Sequence, residues 1–454
     1  MKDVQSVNST SYVVLGIKEK IGYGFGDLAS NLSFGFVSLF LLYFYTDIYG
    51  ISAAQASLIF VIARVIDAVF NILIGYIVDK TNTRYGKLRP YLLFGSIPLG
   101  FLTVLCFTSI ESDQKFYYAL ITYTIYCMAY TAVNTPYSAM TNMMTQHEGS
   151  RASLSVYRFI LAIVGYLIVS TNAEYLIGLF TEPREGYVFA VSCFSLLATF
   201  LFLACFGMTK ERVLIEKDIA PPTLKEMAKA IYCNSPLMHL SMFTVAIYIA
   251  YTVWMAIAIY FIKYVLQDES FTAKFFAIQT AAYIVGTIFC EKLVSLLGKK
   301  VLTLFATAFV AVALIFQYWF VQDNLYLTMA CICIYSMGLG MAFVTMWSMI
   351  ADTVEFAEWK TEVRAEGAIY GFFNFITKIA MAIGGGLAGL LLDYSDYSAD
   401  KITDSALNGI NIMMTLVPAA MFILGFIFIL FYKLDEKTYV NIVKKIELRK
   451  QNAL

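Results

Sequence analysis

Arg64, Asp67 and Asn71 recur at spacings of three and four within an apolar run that extends from Ala63 to Val78. On a helix all three project from one face. An ionisable group at membrane depth costs about 3 kcal/mol even on permissive insertion scales, so it faces a water-filled cavity or an opposite charge. Asp67 is a candidate binding group there: a carboxylate can take up H⁺, and a hard cation such as Na⁺ wants oxygen ligands around it. A buried salt bridge from Asp67 to Arg64, tying spans together, is the competing reading. Asp27 and Asn31 stand four apart, Thr131, Asn134 and Ser138 stand three and four apart, Arg158 opens a further apolar run, and Asn374 and Lys378 stand four apart in another. One wet stripe on an otherwise apolar helix suits a solute rich in hydroxyl groups.

The elements that must carry these stripes are membrane helices. The 454 residues are 60% hydrophobic and 14% charged, against about 25% charged in soluble domains. The formal net charge of zero argues against a nucleic-acid partner. His147 and His239 are isolated, and GxSxG, Walker and metal-ligand spacings are missing, which excludes an enzyme reading and any cofactor. The eight cysteines read as small buried hydrophobes. Polar residues run to Lys20 before a first apolar segment too long for a signal peptide, which reads as the first span.

A bilayer takes about 20 apolar residues to cross. Twelve such stretches are expected, at about 22–46, 53–78, 89–110, 116–142, 154–180, 186–207, 236–265, 272–295, 301–321, 324–350, 368–392 and 408–432. The expected fold is an all-α membrane protein of twelve transmembrane helices in two six-helix halves, 1–207 and 235–432. A polar linker at 208–234 containing Pro221 and Pro222 would join them, and a basic tail would follow at 433–454. Short loops after even-numbered spans carry Lys80, Arg84, Lys87 and Arg89, then Arg151, then Lys210 and Arg212, then Lys299 and Lys300; those after odd spans carry Asp47, Glu111, Asp113, Glu182, Glu185 and Asp393. Positive residues stay inside, so both termini are expected in the cytoplasm of a multi-pass plasma or inner membrane protein contacting lipid. Gly86-Lys87-Leu88-Arg89 is echoed by Gly298-Lys299-Lys300, and Arg151 with Tyr157 by Arg364 with Tyr370, as two related halves would require.

Five stretches, KIGYGFGDLASN (Lys20 to Asn31), YFYTDIYGIS (Tyr43 to Ser52), RVIDAVFN with DKTNTRYGKLRP, VNTPYSAM (Val133 to Met140) and ADTVEFAEWKTEVRAEGAIYG (Ala351 to Gly371), resemble the glycoside-pentoside-hexuronide:cation symporters in order along the chain. That branch of the major facilitator superfamily includes melibiose permease and glucuronide permeases. The resemblance implies a secondary transporter that imports a sugar or glycoside together with a monovalent cation, Na⁺ or H⁺, by alternating access. It implies a cation site at Asp67 with Asn71 and Thr131. Melibiose permease has a second acid where Asn71 stands, so weaker cation binding, proton coupling or uniport is open. It implies a sugar site built from Asp27, Asn31, Asn134, Ser138, Arg158, Phe343, Phe373, Asn374 and Lys378, with amides at Asn31 and Asn134 in place of the permease's acids.

Two cations, Arg158 and Lys378, against fewer carboxylates leave room for an acidic glycoside such as a hexuronide. A neutral pentoside or disaccharide is the rival substrate. A non-transporting membrane sensor or structural protein is the rival class, distinguished by whether purified protein moves solute in liposomes. The charged loop from Asp352 to Glu366, bearing Glu355 and Arg364, is expected to close a cytoplasmic gate with Arg84, Arg89 and Arg151.

Overall fold

A chain this apolar satisfies its backbone in lipid as helices or as a closed barrel. The computed structural model describes residues 14–145, 147–212, 223–320, 324–363, 365–398 and 402–452, and among them it is helical, with a lone β-bridge between Thr83 and Gly86. The first six long helices are α1 (Ile17–Tyr43), α2 (Ala53–Lys80), α3 (Arg89–Leu105), α4 (Lys115–Met144), α5 (Glu148–Ile177) and α6 (Pro183–Met208). A short α7 (Leu224–Tyr232) precedes α8 (Ser235–Tyr260), α9 (Thr272–Leu297), α10 (Lys299–Phe320), α11 (Leu325–Thr361), α12 (Glu366–Tyr394), α13 (Asp404–Met414) and α14 (Leu416–Leu430), and α15 (Glu436–Asn452) ends the described chain. Helices stand at all twelve expected places.

Ten are long and apolar enough to cross a membrane; of the other two, Arg89–Leu105 is short and apolar, and Lys115–Met144 is long but carries the Thr131, Asn134 and Ser138 stripe. The last span is broken at Thr415, because Pro418 has no N–H to offer the carbonyl four residues earlier. The linker and tail are partly helical: Thr223 and Glu226 form a reciprocal capping box that starts α7, while Pro221 and Pro222 lie outside the described residues. The expected charged loop after Asp352 is corrected, since α11 runs on to Thr361. Val354 and Ala357 are buried three residues apart there, so the apolar face continues at helical spacing and the charges ride on the remaining faces.

Two compact units emerge, Met1–Asp218 with Glu269–Ala277, and Ile219–Asp268 with Ile278–Leu454. Within the first, α1 packs on α5 and α6, α2 on α4, and α3 on α4 and α6. Within the second, α8 packs on α12, α13 and α14, and α10 on α11 and α14. There α9 lies against α11 so closely that a Cβ on Gly286 would stand 2.2 Å from the Met337 carbonyl oxygen. The order of pairing is the same in both units, helix by helix.

Backbone detail repeats as well. Both α1 and α8 widen into a π turn, at Phe44–Ile48 and Phe261–Val265. The N–H of Tyr49 reaches the Phe44 carbonyl and that of Ile51 the Tyr45 carbonyl; Leu266 with Phe261 and Asp268 with Ile262 reproduce them. Gly86 and Gly298, at φ +110° and +82°, turn the chain into α3 and α10. A glutamate carboxylate meets each turn: Glu211 accepts the N–H groups of Lys87, Leu88 and Arg89 at 2.8–2.9 Å, and Glu436 accepts that of Lys299 at 3.4 Å.

Candidate transport site

In the first unit the polar stripes of α1, α2, α4 and α5 resolve into distinct contacts. Arg158 on α5 donates from Nε to Asp27 Oδ2 and from Nη2 to Oδ1, the latter at 3.3 Å. The Tyr137 hydroxyl lies 2.9 Å from Asp27 Oδ2 and 2.8 Å from the Tyr23 carbonyl oxygen. The Arg158 guanidinium also sits 5.1 Å from the Tyr137 ring centre and 5.6 Å from that of Tyr23, within cation–π range. Gly26 permits this approach of α1 to α4, since a Cβ there would meet the Tyr137 ring at 2.2 Å. The surplus positive charge expected at Arg158 is thus answered by Asp27 within the same unit. Asn31 donates back to the Asp27 carbonyl at 2.9 Å, Asn134 donates to the Tyr130 hydroxyl at 3.3 Å, and Ser138 is exposed.

Between α2 and α4 run two rungs. The Thr131 hydroxyl donates to Asp67 Oδ1, and the Thr135 hydroxyl donates to Asn71 Oδ1 at 2.9 Å. Asp67 and Thr131 are buried, Asn71 half-buried. The structure therefore brings together the three residues expected to hold the cation. It adds Thr135, whose four-residue spacing from Thr131 mirrors that of Asn71 from Asp67 and was open to sequence reading.

Arg64, one turn before Asp67, feels the Asp67 carboxylate electrostatically and also meets aromatic rings. Its guanidinium centre stands 5.4 Å from the Phe34 ring and 6.0 Å from that of Tyr123, and Phe34 stacks on Tyr130 at 5.3 Å. Sequence reasoning passed over Phe34 and Tyr123, because one aromatic among so many carries no positional signal.

In the second unit Phe343 meets Tyr248 and Tyr251 edge to face, at 5.1 and 5.7 Å. Phe373 is buried against Trp347 at 5.3 Å. Asn374 is exposed and Lys378 half-buried one turn further along α12. The tyrosines of α8 gave no stripe, since that helix is apolar nearly all round.

Four of the expected gate residues have partners inside their own units. Arg84 bonds the Tyr85 hydroxyl, and Arg89 donates to the Phe206 carbonyl at 2.7 Å. Arg151 donates to the Thr145 carbonyl at 2.8 Å, and Asp352 pairs with Lys299 at 2.7 Å. Glu355 is half-buried on α11, and Arg364 lies outside the described residues.

Residues 22–436 match the family model described as MFS/sugar transport protein. The uncharacterized symporter YnaJ of Bacillus subtilis is 36% identical over 96% of both chains. The glucuronide carrier protein homolog of Escherichia coli is 33% identical over 95% of both, and the isoprimeverose transporter of Lactiplantibacillus pentosus is 32% identical over 92% of this chain and 89% of its own. Among solved structures, a mutant of the nucleoside transporter NupG superposes with a TM-score of 0.67 at 13% identity, covering 91% of this chain and 100% of its own. A bacterial homolog of the human lysosomal transporter Spinster does so equally well at 13%, over 94% and 97%. At that identity the superpositions speak for the fold alone. With the family model spanning nearly the whole chain and relatives above 30% identity end to end, this multi-pass membrane protein belongs to the glycoside-pentoside-hexuronide:cation symporters of the major facilitator superfamily.

Proposed function

We propose that the protein imports an acidic glycoside, such as a hexuronide, in symport with Na⁺ or H⁺. The observation that carries the coupling is the buried Asp67 carboxylate bridged by the Thr131 hydroxyl, with the Asn71 amide one turn further along the same face. A carboxylate buried at that depth, with hydroxyl and amide oxygens on the same faces, supplies the hard oxygen ligands that Na⁺ wants or the one group that can take up H⁺. Asp27, Arg158, Asn31, Asn134 and Ser138 then offer donors and acceptors to sugar hydroxyls, with Phe343, Phe373, Asn374 and Lys378 contributing from the second half. Relatives named for glucuronide and for sulfoquinovose support an acidic cargo.

A neutral pentoside is the second reading. Asp27 already balances Arg158, and one relative is named for isoprimeverose. Transport proceeds by alternating access of the two six-helix halves, 1–207 and 235–432, with both termini in the cytoplasm and Arg84, Arg89, Arg151, Asp352, Glu355 and Arg364 as the charge set of a cytoplasmic gate. Purified protein in liposomes tests the reading. Radiolabelled methyl glucuronide accumulates when a Na⁺ or H⁺ gradient is imposed, and excess unlabelled methyl glucuronide competes at least tenfold better than methyl glucoside. Equal competition sinks the acidic reading; absence of accumulation under either gradient sinks the symport.

A further inference from the structure

We infer that Arg64, and not Arg158, takes the acid group of the transported glycoside. The inference rests on the acidic-cargo reading above and identifies where in the first unit that charge is recognised. Arg158 is spoken for: two of its nitrogens face the two carboxylate oxygens of Asp27, and its flat faces meet Tyr23 and Tyr137. A guanidinium so committed can lend a donor to a sugar hydroxyl, but a second carboxylate would have to displace the first.

Arg64 is the opposite case. It lies twelve residues into the 28-residue α2, well inside the span, and is half-buried. Its guanidinium centre stands 5.4 Å from the Phe34 ring centre and 6.0 Å from that of Tyr123, the Asp67 carboxylate acts on it electrostatically, and among the described residues its five N–H groups make no hydrogen bond or ion pair. A cation costly to hold at that depth, set beside two rings and with its N–H groups not bonded to an acceptor, is prepared for a planar, two-oxygen anion. Phe34 also stacks on Tyr130, whose hydroxyl receives the Asn134 amide. The acid-binding edge and an amide suited to sugar hydroxyls are therefore linked through one aromatic pair.

The spacing to Asp67 gives this placement a part in coupling. Residues three apart on a helix are neighbours, about 5–6 Å between Cβ atoms. With no cation at Asp67, its charge offsets that of Arg64 and repels an approaching carboxylate. A cation held there cancels Asp67 and leaves Arg64 in need of an anion. Cation and acidic substrate thereby favour each other's binding, and by linkage they do so reciprocally.

Binding of methyl glucuronide and methyl glucoside to the purified full-length carrier, followed by intrinsic tryptophan fluorescence, tests this with Arg64→Gln and Arg64→Lys. The wild type prefers the glucuronide. Arg64→Gln is expected to bind the two within twofold of each other, chiefly by losing glucuronide affinity, while Arg64→Lys keeps the direction of preference but weakens glucuronide binding about tenfold. A wild-type preference that survives intact in Arg64→Gln overturns the role of Arg64 and leaves the acidic cargo standing. Should Arg64→Gln fail to fold, wild-type glucuronide affinity in Arg64→Lys overturns it equally. A wild type with no preference removes the acidic reading, and the inference with it.

Discussion

At Asp67 a single carboxylate stands in an apolar span with a threonine hydroxyl on one oxygen. Replacing it by asparagine keeps the shape and the acceptor but removes the charge that a cation would answer. Asp67→Asn is expected to abolish gradient-driven accumulation while leaving exchange of labelled for unlabelled substrate across liposomes, and retained accumulation would remove Asp67 from the coupling. Asp27 and Arg158 call for a different comparison. Removing one partner strands the other charge at depth, at a cost of about 3–5 kcal/mol, so Asp27→Asn and Arg158→Gln each lower the thermal midpoint. The double variant recovers part of that loss without recovering transport; a double variant as unstable as the sum of the singles would show the pair to be uncoupled. Spacing put Asp67 with Asn71 on one helix face and Thr131 with Asn134 and Ser138 on another, and the family resemblance joined Asp67, Asn71 and Thr131 into one expected site. The pairing of Asp27 with Arg158 was not legible, since the two lie 131 residues apart and only packing of α1 on α5 brings them together.

Helix ends carry the next level of control. Glu211 gathers three consecutive N–H groups at the start of α3, where unpaired donors and the helix dipole both favour a negative charge. Glu211→Ala leaves those donors without their acceptor and is expected to cost about 1–3 kcal/mol, read as a lower melting midpoint and faster hydrogen exchange at Lys87 to Arg89. In α7 the backbone N–H of Thr223 holds the Glu226 carboxyl below its ordinary range. A lowered pKa stabilises the folded helix above the unfolded-state value, and that contribution disappears as pH falls through the folded-state value. The protection of α7 amides, measured against their intrinsic exchange rates at each pH, should therefore fall on acidification below the ordinary carboxylate range in the wild type and show no such step in Glu226→Gln. The cap was written in Thr223 and Glu226, three apart. The continuation of α11 beyond Asp352 was misread because charge density suggested a loop, whereas Val354 and Ala357 kept the apolar period.

Across the whole chain, each unit has its own buried core and the same order of helix pairs. Breaking the chain between Arg212 and Thr223 and coexpressing the two fragments is expected to restore uptake, whereas either fragment alone gives none; loss of uptake in coexpressed, membrane-inserted fragments would show that the covalent join is itself required. The duplication was faintly legible in Gly86 and Gly298, but its strongest trace is conformational, in backbone bonds that no residue type announces. The wide turns closing α1 and α8 show what that trace permits. A five-residue turn holds one residue more than helical geometry demands, and elsewhere in a span a one-residue deletion would swing every later side chain by about 100°. At Phe44–Ile48 or Phe261–Val265 the same deletion merely tightens the coil. These two places are where the first and seventh spans can shorten without losing their bearings, and a sister sequence one residue shorter there should still turn the residues that follow to the same faces.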